Sequence, residues 1–173
     1  PTVLLASVGL TMLVGYRLSE RTVERCAEWS LSVGIVALSG ILAMMLSQGS
    51  HREILTLGDL VAIHELGFHF RVSFVFDRLS IPVAMLSFLL CGTVGAFAAK
   101  YLHRETGYHR FFLSFAIFTS GMIYATLAGT IETLFLGWEL VGLSSALLIA
   151  YFHERQSPVE NGFRVWVVYR LAD

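Results

Sequence analysis

"LFLGWELVGLSSALLI", residues 134–149, is apolar almost throughout, yet it carries a carboxylate, Glu139, near its middle. A run of this length and composition reads as a membrane-spanning helix, which needs roughly 17 to 25 apolar residues. An acid in such a helix costs about 2.5 to 3.5 kcal/mol or more. It is tolerated where it faces a protein interior or a water-filled path. The rest of the chain has to explain why Glu139 is there.

The composition agrees with a membrane setting. Of the 173 residues, 55% are hydrophobic and 14% charged, and the mean hydropathy is +0.69. Soluble domains average about 25% charged residues, so the balance indicates an integral membrane protein. The net charge of −1 gives no electrostatic case for a nucleic-acid partner. Lys100 is the only lysine, and Cys26 and Cys91 lie in separate segments. They read as small hydrophobes rather than a disulfide or a redox pair.

Working outward from 134–149, further apolar segments emerge. Helices are expected over about 2–16, 29–46, 79–100, 111–128 and 131–152, with a sixth starting at 163. The first, 2–16, is short. It lacks the basic leader and cleavage pattern of a signal peptide, so a span is the better reading. The last, "FRVWVVYRLAD", reaches only about 16 Å, roughly half a bilayer core. The expectation is a single membrane domain over 1–173, the N-terminal fragment of a polytopic helix bundle. "RLSERTVERCAEW" spaces Glu20, Glu24 and Glu28 one helical turn apart, between arginines, and reads as a helical extension. From Phe68 to Phe76 apolar and polar residues alternate after Gly67, as in a short hairpin on the outer face.

Basic residues orient the bundle. Arg17, Arg21 and Arg25 follow the first segment, Lys100, Arg104 and Arg110 the third, and Arg155 and Arg164 the fifth. The turn between the fourth and fifth segments has none. The alternation puts these loops in the cytoplasm and the N-terminus outside.

Glu139 is the strongest site residue. It lies about 12 Å below the outer surface by helical rise. A carboxyl there has reason to accept a proton, which a proton carrier must do. The alternative role is an ion-pair lock between helices. Gly137, Gly142, Ser144 and Ser145 would let a neighbouring helix approach closely. With a sixth helix entering near Phe163, Asp173 would lie about 15 Å deep and Arg170 about 10 Å. That puts Asp173 near the depth of Glu139 and Arg170 about a turn lower. A three-residue charge cluster is expected, since buried charges survive mainly when paired. The other role open to Arg170 is snorkelling toward the cytoplasm.

The six histidines, His51, His64, His69, His103, His109 and His153, read as loop residues. "HELGFH" fits no zinc spacing, so no metal or cofactor is expected in this chain. His103, His109, His153 and Glu154 fall on the inner side and could meet there.

"FVFDRLSIPVAML", "YHRFFLSFAIFTSGMIYATLAG", "FLGWELVGLSSALLIAYF" and "YRLAD" together resemble the N-terminal part of the antiporter-like proton-translocating family. That family includes the large antiporter-like subunit of respiratory complex I, the Mrp antiporter subunits and the membrane subunit of the DAB inorganic-carbon accumulation complex. The resemblance covers about residues 70–173. It implies that the Glu of the W-E motif, here Glu139, moves protons together with lysines on later helices. The family's "NRVGD" reads "YRLAD" here, keeping Arg170 and Asp173 while Tyr169 and Ala172 replace the Asn and Gly. Its "ADN" reads "AGT" at 128–130.

"AYFHERQSPVENGFRVWVVYRLAD" is closest in flavour to the inorganic-carbon branch. That implies a multi-pass protein of the bacterial inner membrane that energises CO2/bicarbonate uptake. Its partner would be a soluble, carbonic-anhydrase-like subunit holding the zinc. The alternatives are a proton-pumping subunit of respiratory NADH:quinone oxidoreductase, working with other complex I subunits, and a non-conducting membrane anchor.

Overall fold

The computed structural model describes residue 9 and residues 19–63 and 68–172. The expected first helix, the hairpin tip with Gly67, and Asp173 therefore lie outside the described residues, Gly9 apart. Five helices and one hairpin follow in chain order: α1 Glu20–Gln48, β1 Arg52–Ile63, β2 Phe68–Asp77, α2 Ser80–Tyr101, α3 Tyr108–Thr126, α4 Ile131–Ile149 and α5 Gln156–Ala172. α1, α2 and α4 are each long and apolar enough to cross a membrane. α3 is not among them, since Tyr108, His109, Arg110 and four Ser and Thr residues dilute its apolar content.

α1 absorbs the charged extension into one continuous 29-residue helix. Ser19 caps it by accepting from the Thr22 amide at 3.3 Å. Gly49, at φ 68, ends it in the left-handed conformation that glycine adopts without penalty. The bundle folds back on itself, α1 packing on α2, α2 on α3, α3 on α4 and α4 on α5. Its core is built from Leu31, Ile81, Ala84, Phe88, Phe112 and Phe115 among others.

The hairpin is longer than its alternating stretch suggests. β1 and β2 pair antiparallel from Arg52↔Asp77 to Ile63↔Phe68, with irregularities at 56–58 and 59–61. β2 is stitched to the α3–α4 turn. The Val75 amide donates to the Leu127 carbonyl and the Gly129 amide to the Ser73 carbonyl, each at 2.8 Å. The Thr130 hydroxyl donates to the Arg71 carbonyl at 2.9 Å, and the Ser73 amide donates to Thr133 Oγ1 at 3.2 Å. The hairpin end of the bundle thus grips the start of α4, two turns before Glu139.

α3 and α4 approach through glycine. A Cβ on Gly137 would lie 2.5 Å from the Ala125 amide nitrogen and 2.9 Å from the Gly121 carbonyl oxygen. Only residues without side chains allow backbones this close.

Candidate functional site

Glu139 stands on α4 and Arg170 on α5, and the two side chains meet. Arg170 Nη1 donates to Glu139 Oε1 at 2.6 Å, and Nη2 donates to Oε2. Both carboxylate oxygens thus engage the guanidinium fork, the strongest geometry available to such a pair. The Glu139 side chain is 20% exposed and that of Arg170 44%.

The expected depth of Arg170 needs correction, and the reason is local. α5 begins at Gln156, against an expected onset at Phe163. Its first two turns, "QSPVENG", are polar and do not read as the start of an apolar span, although Pro158 is tolerated in a first helical turn. The earlier onset puts Arg170 about 21 Å along its helix, instead of about 10 Å. α4 and α5 run in opposite directions, and the packing of Tyr169 over Gly142 brings Arg170 within about one helical turn of Glu139 along the shared axis. Arg170 therefore reaches Glu139 and does not snorkel away.

The surroundings hold the pair in place. The Arg170 guanidinium lies 5.9 Å from the Trp166 ring centroid. The i, i+4 spacing that stacks them is present in "WVVYR". Tyr169 covers Gly142, its ring approaching to 3.7 Å of where a Cβ would be. Gly162 lets α5 onto α4, since a Cβ there would sit 2.8 Å from the Ala146 carbonyl oxygen. Ser144 is fully buried and donates to the Leu140 carbonyl at 2.6 Å, so it serves the helix and not the site. Ser145 does the same toward Val141.

The described histidines lie on separate elements. His109 is in α3 and His69 in β2, where loops were expected. His103 Nδ1 contacts Glu20 at 2.8 Å. His153 instead meets Arg110, whose Nη2 lies 2.8 Å from its Nδ1. Among the described residues no group of three metal-ligating side chains forms.

Comparison with known proteins gives the chain a context. Residues 63–112 match the family described as NADH-ubiquinone oxidoreductase (complex I), chain 5 N-terminus. That match covers β2, α2 and the start of α3, and stops short of Glu139. NADH-quinone oxidoreductase subunit L of Pseudomonas aeruginosa is 30% identical over 146 residues, which is 82% of this chain and 23% of that protein. The F(420)H(2) dehydrogenase subunit L of Methanosarcina mazei is 32% identical over 94 residues, 54% of this chain and 14% of that protein. NAD(P)H-quinone oxidoreductase chain 5 of Synechocystis is 26% identical over 106 residues, 61% of this chain and 16% of that protein. The chain spans less than a quarter of the length of these relatives. The chain is thus similar to complex I chain 5 and subunit L proteins over part of their length. These matches favour the respiratory reading over inorganic-carbon uptake.

Proposed function

We propose that this chain is part of a proton-translocating, antiporter-like membrane subunit of a quinone-oxidoreductase-type complex, and that Glu139 carries the proton. Redox chemistry would reside in other subunits of the complex. One observation supports the reading most: a bidentate carboxylate–guanidinium pair joins the middle of apolar α4 to the more polar α5, with the cation almost half exposed on the bundle flank. In lipid that flank would be costly. A water-filled path or a further helix beside it removes the cost, and a path is what a proton needs.

The chemistry follows from the pair. A proton arriving on Glu139 Oε1 or Oε2 converts the carboxylate to a neutral acid and loosens its hold on Arg170. The guanidinium can then turn toward another anion, and Asp173 is close in sequence. When Arg170 swings back, the bidentate pair re-forms as the proton leaves for the next carrier. Two arrangements of one cation thus gate loading and release.

The second reading, a fixed lock between α4 and α5, rests on the same bidentate geometry. Reconstitution of the intact complex into liposomes with an entrapped pH dye separates the two. We expect Glu139→Gln to abolish proton uptake while the complex assembles at its normal yield, and Glu139→Asp to retain part of the rate. A lock predicts the reverse: Glu139→Gln would assemble poorly, and whatever assembled would pump. Undiminished pumping by Glu139→Gln would overturn the proposal.

A further inference from the structure

At the end of the bundle opposite the hairpin, two arginines are mounted on aromatic rings. Arg110, in the first turn of α3, has its guanidinium carbon 5.6 Å from the centroid of the Tyr151 ring. The Tyr151 ring meets that of Phe152 edge-on, centroids 4.8 Å apart. The Arg155 guanidinium carbon lies 5.7 Å from the Phe152 centroid. The order is cation, ring, ring, cation across the join between α4 and α5.

Neither arginine is neutralised. Among the described residues neither makes an ion pair with a carboxylate, although Glu154 adjoins Arg155 in sequence. Arg110 is fixed by other means. Its Nη2 donates to the Tyr151 carbonyl at 2.8 Å and to His153 Nδ1 at 2.8 Å. Nη1 also lies 3.4 Å from His153 Nε2; an arginine has five donors and no acceptor, so the Nε–H and one Nη1–H remain available to an anion. Tyr151 itself is 8% exposed, and its hydroxyl finds no hydrogen-bond partner among the described residues. It is therefore held for its ring, and the ring supports the cation.

The level of the ladder identifies the anion. It starts two residues beyond the apolar span of α4, which ends at Ile149. Phe152 keeps 41% of its surface exposed, and at the same end of the bundle, in the last turns of α2, Phe97 and Tyr101 stack with centroids 5.7 Å apart. Exposed aromatic rings beside unpaired arginines, one step outside an apolar helix, mark the headgroup level of a bilayer. Basic pockets there bind lipid phosphate.

We propose that Arg110 and Arg155 form a binding site for the phosphate of an anionic phospholipid, seated at the α3–α4–α5 corner. The remaining donors of Arg110, Nε–H and one Nη1–H, meet the phosphate oxygens, Arg155 adds charge, and the exposed face of Phe152 lies along the first acyl carbons. The site does not depend on Glu139 carrying protons.

Native mass spectrometry of the intact protein, released from nanodiscs of equimolar phosphatidylglycerol and phosphatidylcholine, tests it. We expect the wild type to retain phosphatidylglycerol preferentially. Arg155→Gln, at an exposed position, should weaken that preference about five-fold, and Arg110→Gln with Arg155→Gln should abolish it. Because Arg110→Gln also removes the hydrogen bond to Tyr151, folding is checked by circular dichroism, and Arg110→Lys is included as a charge-preserving control. Millimolar inorganic phosphate should not displace the lipid. Equal retention of the two lipids by the wild type, an unchanged preference in Arg155→Gln, or displacement by free phosphate would each overturn the proposal.

Discussion

At the scale of single residues, polar groups at the helix ends decide how the chain changes direction, and Asp77 is the clearest case. Its Oδ1 accepts from the Leu79 amide at 2.8 Å and the Ser80 amide at 2.6 Å. The Ser80 hydroxyl donates onward to the Val75 carbonyl at 3.0 Å. The Ser80 amide, then the Leu79 amide, hold the Asp77 carboxyl below its ordinary value of 3.8. The sign of the pH effect follows: a depressed folded value means that the stabilisation is fully present above pH 3.8. It is lost as pH falls through the folded value. Asp77→Ala should therefore cost about 1 kcal/mol at neutral pH, as loss of a helix cap does. Hydrogen exchange at the Leu79 and Ser80 amides measures it. The two amides should exchange faster in the variant at pH 7, and the gap between variant and wild type should narrow in acid.

At the scale of elements, packing between α3 and α4 sets where Glu139 points. Gly121 and Gly137 face each other, and a Cβ on either would sit 2.9 Å from the other's carbonyl oxygen. Backbone cannot yield as a side-chain tip can. Gly137→Leu should therefore force the helices apart, at a cost of about 1 to 3 kcal/mol or more. Gly40 on α1, where a Cβ would meet nothing within 4 Å, is the control. Gly40→Ala should raise the melting temperature in detergent slightly, through helix propensity, while Gly137→Leu lowers it. A melting temperature for Gly137→Leu at or above wild type would contradict the close-packing account.

The same elements show what was legible in the sequence. The α4 pattern and the alternation of β2 are periodicity signals, and the structure has both elements. β1 was harder to see, because Gly58 at φ 112 and the irregularities around it break the alternation of "REILTLGDLVAI". The start of α5 was hidden by polar residues that a hydropathy reading assigns to a loop. The position expected for Arg170 along its helix depends on that start, whereas its clustering with Glu139 follows from similar depth and from the need of a buried charge for a partner. In the Arg110–Tyr151–Phe152–Arg155 ladder the first step joins residues 41 positions apart, and no local pattern announces such a contact.

At the scale of the whole molecule, the two ends of the bundle are chemically unlike. One end is the hairpin and the α3–α4 turn. The other gathers the start of α1, the α2–α3 connection and the α4–α5 connection, with Arg21, Arg25, Lys100, Arg104, Arg110 and Arg155. The positive-inside bias therefore predicts that this second end faces the cytoplasm and the hairpin faces outward. Cysteine labelling can test it with one native thiol. Cys26 is partly exposed near the start of α1, while Cys91 is buried in α2. In intact cells a membrane-impermeant maleimide should leave Cys26 unmodified and react with Thr56→Cys on the exposed strand β1. After the membrane is opened, Cys26 should react as well. Labelling of Cys26 before opening, with Thr56→Cys protected, would invert the topology. The flank of Arg170 would then load protons from the opposite compartment, so the same experiment fixes which side of the membrane the Glu139–Arg170 pair serves first.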